Sequence, residues 1–233
     1  MSRSQLFSTV LFAVLIATSA TAKDNLSEST PTYYVYLAGP EVFLPKPVEA
    51  GEKKKALISE LNEKHEWPFK LVGLYPMDNE IEDFALDFKT GIKIYDANID
   101  LMDKAHYIAA NMIRFRGPSM DVGTAFEMGY MRGAGKPVFA YYDAEPFYGQ
   151  AESPGLYPDR VRSLYEIDPE DPNKDVHGQS IESFEMADNL MMIGALESGN
   201  AKIEATFSDV IEAIAEHIIA SNVIELEKVA VAQ

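Results

Sequence analysis

Apolar residues along this chain alternate between short β-rich runs and longer stretches with helical spacing. The runs typical of strands are residues 33–38, 69–75, 106–112 and 138–142. Apolar positions three and four residues apart predict helices over residues 51–65, 91–104, 122–133 and 207–220. Connections of a dozen or more residues between successive strands require a parallel sheet. The pattern therefore predicts an α/β fold, an open doubly wound sheet with helices on both faces.

Three segments do not follow this alternation. Residues 143–180 contain five prolines and many acidic residues, which predicts a long loop of the kind that is usually functional or mobile. Residues 183–196 fit a helix and a strand equally well. The pattern places no element in residues 223–233, which we treat as a C-terminal tail.

The first residues have the pattern of a secretory signal. Arg3 supplies a positive start, residues 6–17 are largely apolar, and Ala20-Thr-Ala22 is a small–x–small cleavage site. The apolar run is too short for a comfortable membrane span. We therefore expect residues 1–22 to be a cleaved signal of an exported, periplasmic or secreted protein without stable membrane insertion. An uncleaved anchor is the alternative, and a cytoplasmic location would follow if the segment were not a signal.

The remaining chain is long enough for one sizeable domain, which we place at residues 33–222 after a flexible polar leader at 23–32. The formal net charge is −17, and there is no cysteine. This balance argues against binding to nucleic acid backbones, which requires basic patches. The sequence lacks a phosphate loop, a dinucleotide-binding glycine motif, a zinc-type histidine pair and a serine nucleophile elbow. We accordingly expect no metal and no cofactor, and carboxylates remain as the candidate chemistry.

One carboxylate, Glu127, lies in the segment Asp121-Val-Gly-Thr-Ala-Phe-Glu-Met-Gly-Tyr130. If Asp121 caps a helix, no basic residue lies three or four positions from Glu127, so no helical ion pair neutralises it. A carboxylate on such a small, mostly apolar face is costly to desolvate, and perturbed carboxylates cluster at functional sites. The alternative is a capping box in which Thr124 is the cap and Glu127 its partner.

Further aspartates lie near the predicted strand ends. Asp96, Asp100 and Asp103 share one helical face, which is either functional or an ordinary solvated acidic surface. Asp78 follows Pro76 at the end of a strand, where a turn residue is common.

Ligands in doubly wound folds bind beyond the carboxyl ends of the strands. We therefore expect one cleft to collect four carboxylates: Asp78, Asp100, Asp121 and Glu127. Several carboxylates without a metal or a nucleophilic serine suit cleavage of a glycosidic bond, because anions stabilise its oxocarbenium-like transition state. Aromatic residues near the strand ends would stack on a base, orient the nucleophile or simply pack: Tyr34, Tyr36, Phe43 and Tyr130.

Five segments, in this order, resemble the nucleoside 2-deoxyribosyltransferases. They are Tyr36-Leu-Ala-Gly-Pro-Glu-Val-Phe43, Pro76-Met-Asp-Asn79, Asn98-Ile-Asp-Leu-Met-Asp-Lys-Ala105, Arg116-Gly-Pro-Ser-Met-Asp-Val-Gly-Thr-Ala-Phe-Glu-Met-Gly-Tyr130 and Asp188-Asn-Leu-Met191. The resemblance implies a flavodoxin-like sheet of five parallel strands. It also implies exchange of 2-deoxyribose between nucleobases through a covalent deoxyribosyl–enzyme ester, in a homo-oligomer with shared active sites.

The resemblance further implies residue roles. Glu127 would be the nucleophile, Asp100 and Asp121 would bind the base and pass its proton, and Tyr36 would orient the nucleophile. From their places at the ends of two strands, we also expect Gly39 and Asp78 to belong to the substrate-binding set. Asn189 and Met191 would reach a neighbouring subunit's site and contact the 5′-hydroxyl of the sugar.

Two features depart from the family pattern, namely the signal segment and the long acidic stretch 143–180. An exported enzyme would scavenge nucleosides and behave largely as a hydrolase. Two other functions remain open. A deoxynucleoside 5′-monophosphate N-glycosidase would need a phosphate-binding set near the first loop, where only Lys46 is basic. An exported nucleoside-binding protein without turnover would have kept the pocket alone.

Overall fold

The computed structural model describes residues 30–196 and 202–231, with side chains described up to residue 223. This part of the chain contains five strands: β1 (Thr32–Ala38), β2 (Lys70–Leu74), β3 (Tyr107–Asn111), β4 (Val138–Tyr141) and β5 (Ile203–Glu204). All neighbouring strands pair in parallel, in the order β2-β1-β3-β4-β5. The predicted flavodoxin-like sheet with helices on both faces is therefore confirmed.

The helices in the described residues are α1 (Pro47–His65), α2 (Phe88–Lys104), α3 (Val122–Gly133), α4 (Glu145–Tyr148), α5 (Tyr157–Leu164), α6 (Leu190–Ala195) and α7 (Phe207–Val231). Short 3-10 turns follow the first two strands, at Pro40–Phe43 and Pro76–Asp78. Helix α1 begins four residues before the predicted start because Pro47 suits the first helical turn, where no N–H donor is needed. Helix α7 continues through residues 223–231, where the sequence pattern placed no element.

The strands separate two hydrophobic layers. On one face, Val35 and Leu37 pack against α1 and α7; on the other, Tyr36 and Ala38 pack against α2 and α3. Because successive side chains of a strand point to opposite faces, this register directs Tyr36 towards α3.

The strand order places a crevice above β1 and β3. Strand β2 lies on one side of β1 and β3 on the other, so the winding direction changes between β1 and β3. In doubly wound sheets, ligands bind at this switch point, beyond the carboxyl ends of the strands. The loops that follow β1 and β3 therefore meet at the expected binding edge.

The stretch 143–180, predicted as a long loop, contains α4, α5 and two isolated bridges, Ile167–Asp175 and Lys174–Ser180. The guanidinium of Arg160 fastens this stretch to its surroundings by donating to the carbonyls of Pro118, Pro154 and Ala187. Of the ambiguous residues 183–196, Leu190–Ala195 form a short helix, α6.

The predicted signal, residues 1–22, and most of the predicted leader lie outside the described residues, and both stay predictions. Among the described residues, no helix combines the length and the hydropathy needed to cross a bilayer.

Candidate active site

Helix α3 starts where the sequence predicts. The residue that caps it shows whether Glu127 belongs to a capping box. The Asp121 carboxylate accepts hydrogen bonds from the backbone N–H of Thr124 at 2.9 Å and from the Thr124 hydroxyl at 3.0 Å. Asp121 is therefore the N-cap. The alternative capping box with Thr124 as the cap is wrong, and Glu127 takes no part in capping.

The Glu127 side chain lies against the sheet, where the hydroxyl of Tyr36 donates to its Oε1 at 2.6 Å. Burial raises the pKa of Glu127 to about 7; the Tyr36 hydrogen bond opposes this rise, and the nearby charge of Asp121 adds to it. Tyr36 is fully buried, and burial together with the Glu127 charge raises its pKa far above the ordinary value. The pair thus consists of a permanently protonated donor and a carboxyl group that titrates near neutrality.

The two aspartates with predicted roles lie in different settings. Asp121 is partly buried at the start of α3 and close enough to influence the titration of Glu127. Asp100 is exposed on α2, and it lies near Tyr130, one turn beyond Glu127. Asp103, rather than Asp100, accepts the hydrogen bond of the Tyr130 hydroxyl, at 2.6 Å. The structure therefore places Asp121 at the start of α3, the helix of Glu127, and Asp100 on α2 near Tyr130 of α3.

Asp78 and Gly39 both have structural roles at the ends of strands. The Asp78 carboxylate accepts from Lys55 Nζ at 2.7 Å and from the backbone N–H of Tyr75 at 3.0 Å, so it closes the turn after β2. A Cβ atom on Gly39 would lie 2.0 Å from Glu41 Oε2, so only glycine fits at the end of β1. A substrate-binding role for either residue stays a prediction.

Asn189 and Met191 lie at the start of α6. The Asn189 side chain caps this helix by accepting from the Met191 N–H at 3.0 Å, and it donates to Glu182 Oε2 at 2.8 Å. The Met191 side chain is 66% exposed. The preceding residue, Asp188, is buried and accepts from the Ser119 hydroxyl and from the Met120 N–H. The segment is thus tied to the loop that leads into Asp121, and its methionine projects outward.

Sequence reasoning missed Glu41, which is buried in the 3-10 turn after β1. Its Oε1 accepts from Lys54 Nζ at 2.6 Å, Asn111 Nδ2 at 2.9 Å and the Tyr141 hydroxyl at 3.1 Å. Burial alone would raise the pKa of Glu41, but the charge and hydrogen bond of Lys54 outweigh it and lower the pKa. This network joins the carboxyl ends of β1, β3 and β4. The one sequence signal was an acidic residue directly after a Gly-Pro turn.

A family model described as nucleoside 2-deoxyribosyltransferase matches residues 35–191, which is more than half of the chain. The chain belongs to the nucleoside 2-deoxyribosyltransferase family. The matched region includes the Tyr36–Glu127 pair and ends at Met191. The family predicted from sequence resemblance is thereby confirmed.

Individual relatives are more distant. An uncharacterized protein of Schizosaccharomyces pombe is 30% identical over 150 residues, which is 62% of this chain and 63% of that protein. The match thus spans less than two thirds of that relative's length. The 2-desoxiribosyltransferase from Leishmania mexicana has 24% identity and a TM-score of 0.50, with coverage of 79% of this chain and 98% of that chain. This similarity supports the shared fold.

The four aromatic residues near the strand ends each lie in a different environment. Tyr34 stacks on His106 at a centroid distance of 5.8 Å, and Tyr130 hydrogen-bonds to Asp103. Tyr36 hydrogen-bonds to Glu127, and Phe43 stacks on Phe115, which belongs to the loop after β3. Within the described residues, no three His, Cys, Asp or Glu side chains are arranged to hold a metal ion.

Replacing Tyr36 with phenylalanine is expected to raise the pKa of Glu127 above its value of about 7. The hydroxyl of Tyr36 stabilises the ionised carboxylate, and the substitution removes it. An NMR titration of the glutamate side-chain carboxyl carbons would measure this shift. Tyr130→Phe, which removes a hydroxyl bonded to Asp103, is the matched control and should leave the pKa of Glu127 unchanged. An unchanged titration in Tyr36→Phe would contradict the assigned contact.

Proposed function

We propose that this protein exchanges the nucleobases of 2′-deoxynucleosides through a covalent ester between deoxyribose and Glu127. The observation that supports this most is the 2.6 Å hydrogen bond between Tyr36 and Glu127 at the switch crevice. No basic side chain of the described residues pairs with the Glu127 carboxylate. Burial raises its pKa to about 7, and the neutral hydroxyl of Tyr36 orients it. These are the properties of a nucleophile for an electron-poor sugar carbon.

In the first half-reaction, an ionised Glu127 oxygen attacks C1′ and forms an ester bond as the C1′–N bond breaks. The electron pair of that bond leaves with the base, and an aspartic acid supplies the proton that neutralises the departing nitrogen. We assign base binding and this proton transfer to Asp100 and Asp121. Neighbouring carboxylates also stabilise the oxocarbenium-like transition state.

In the second half-reaction, a nitrogen of the incoming base attacks C1′ and the ester bond breaks. Its electron pair returns to Glu127, and the proton of the incoming base passes to an aspartate. Two displacements at C1′ give net retention. Water in place of the second base gives free deoxyribose, which is the hydrolytic side reaction. The Tyr36 hydroxyl stays protonated throughout and holds Glu127 in position.

We also propose that the protein is a homo-oligomer in which Asn189 and Met191 complete a neighbour's site. Large apolar side chains are exposed around α2, α3 and the preceding loop, and they support a subunit interface: Phe84, Leu86, Phe88, Ile92, Tyr95, Val122 and Phe126. The exposed Met191 fits the same arrangement. Light scattering after size exclusion should give a multiple of the monomer mass, and a monodisperse monomer would contradict the shared site.

The alternative substrate class, deoxynucleoside 5′-monophosphates, receives little support from the first loop. Lys46, the basic residue in that loop, pairs with Glu49 at 2.9 Å. A nucleoside-binding protein without turnover would not need a carboxyl group oriented as Glu127 is.

A chromatographic time course tests the proposal. Deoxyinosine with adenine should yield deoxyadenosine and hypoxanthine, whereas deoxyinosine alone should be hydrolysed more slowly. Release of hypoxanthine at the same rate with and without adenine, without deoxyadenosine, would identify a hydrolase. No conversion in either mixture would contradict base exchange and leave the 5′-monophosphate N-glycosidase and the binding protein, which an assay with deoxyinosine 5′-monophosphate would separate.

A further inference from the structure

A second cluster lies on the loops that follow β1 and β3, which meet at the switch crevice. Phe43, from the turn after β1, stacks on Phe115, from the loop after β3, with ring centroids 5.3 Å apart and planes 15° apart. The Arg116 guanidinium lies 4.9 Å from the Phe43 centroid and 4.6 Å from that of Phe115. Phe43 remains 53% exposed, so the cluster has an accessible aromatic surface.

In the part of the chain that the structure describes, the Arg116 guanidinium has no acidic partner, unlike those of Arg114 and Arg160. Arg114 pairs with Glu152 at 3.4 Å, and Arg160 lies 3.5 Å from Asp188. Among the described residues, nothing hydrogen-bonds to or ion-pairs with the Arg116 side chain, although the whole chain has a net charge of −17. Two rings hold the group in place while its N–H donors stay available to a ligand.

The backbone at Arg116 is also unusual. Its φ of +56° lies in the left-handed region, and the next residue is Gly117. A non-glycine residue in this region is strained and persists where the surroundings hold it, often at functional sites. The conformation brings the guanidinium back onto the rings of Phe43 and Phe115.

We propose that Arg116 makes this enzyme prefer 6-oxopurine bases, hypoxanthine and guanine. The inference rests on the proposed base exchange and names its substrate class. A purine stacked on the Phe43–Phe115 surface presents N7 and O6 as adjacent acceptors, which match the paired donors of a guanidinium. Adenine replaces O6 by an amino group, a donor that cannot accept from the guanidinium. Pyrimidines lack N7 and therefore this pair of acceptors, which lies on the imidazole side of the purine.

Steady-state kinetics with deoxyinosine, deoxyguanosine and deoxyadenosine as donors test this preference. The wild-type kcat/KM should favour the two 6-oxopurine donors. Arg116→Gln should lower kcat/KM for these two by about 10- to 100-fold, the range of one bidentate contact, and change deoxyadenosine by less than about 3-fold. Arg116→Lys should lose most of the preference as well, because an ammonium keeps the charge but not the planar pair of donors.

The matched control is Arg114→Gln, which alters a neighbouring arginine whose guanidinium already has an acidic partner. It should keep the wild-type base preference. Equal losses for all three donors in Arg116→Gln, or full preference in Arg116→Lys, would overturn the inference. So would a loss confined to deoxynucleoside 5′-monophosphates, which would assign the guanidinium to a phosphate.

Equilibrium binding of free hypoxanthine and adenine separates this inference from the proposed function. Tighter binding of hypoxanthine that disappears in Arg116→Gln would support base selection even if the wild-type protein exchanged no bases. Equal binding of both bases by the wild-type protein would refute the inference, whatever the exchange assay showed.

Discussion

Replacing Glu127 with alanine is expected to abolish base exchange, with kcat falling at least about 10³-fold, as happens when a nucleophile is removed. The reason is that Glu127 supplies the oxygen to which C1′ becomes bonded, and Asp100 and Asp121 are assigned to the base instead. The time course with deoxyinosine and adenine measures the loss. Glu60→Gln, which changes an exposed glutamate on α1, should exchange bases at the wild-type rate.

Mass spectrometry provides the direct test of the intermediate. Wild-type protein quenched during turnover should yield a deoxyribosylated peptide containing residues 121–130, and the Glu127→Ala digest should not. Circular dichroism should show the same fold for both proteins. Normal exchange by Glu127→Ala would remove this residue from the mechanism.

Glu127 also makes stability depend on pH in a defined direction. Its folded pKa of about 7 lies above the ordinary 4.5, so the folded state binds the proton more tightly than the unfolded state. Ionising Glu127 therefore costs stability as the pH rises from about 4.5 to 7. The cost approaches about 3 kcal/mol well above pH 7 and vanishes below about pH 4. The acid limb of the rate profile should follow the same ionisation.

The second large effect is expected for Lys54→Met, which should lower the free energy of unfolding by about 3–5 kcal/mol. Lys54 and Glu41 are both buried, and their side chains are 2.6 Å apart. Removing the ammonium leaves the carboxylate of Glu41 in a desolvated position with only the neutral donors of Asn111 and Tyr141. Urea denaturation at neutral pH would measure the change.

Lys53→Met is the control for this variant, because Lys53 is the adjacent residue of α1 and pairs with Glu49 at the surface. An exposed ion pair contributes at most about 1 kcal/mol. Adding Glu41→Gln to Lys54→Met should restore part of the stability, since the uncompensated charge is then absent. A Lys54→Met protein as stable as the Lys53→Met protein would show that the buried pair contributes no net stability.

The elements that sequence predicts best are those fixed by local interactions. Asp121 caps α3 through Thr124, three residues away, and the predicted bounds of this helix match the observed ones. The four longer strands follow from runs of β-branched and aromatic residues. Strand β5 has only two residues, too few to show any period, and its place at the edge of the sheet depends on pairing with β4.

The candidate site was predicted only in part. Sequence reasoning selected Glu127, Tyr36 and Asp121. In the structure, Tyr36 hydrogen-bonds to Glu127, and Asp121 is close enough to raise its pKa. Sequence reasoning grouped Asp78 with them, although that carboxylate is held by Lys55 at the end of β2. It gave Arg116 no role, because a guanidinium without an acidic partner cannot be recognised until the surrounding loops are placed.

The sequence by itself determined the alternation of strands and helices, the cap of α3 and the family motifs, since each depends on residues close together in the chain. Tertiary structure alone decided which distant groups meet. Tyr36 and Glu127 are 91 residues apart, and their contact exists because the parallel register of β1 directs one side chain beneath α3. Burial there raises the pKa of a carboxyl group that in water would be an ordinary glutamate.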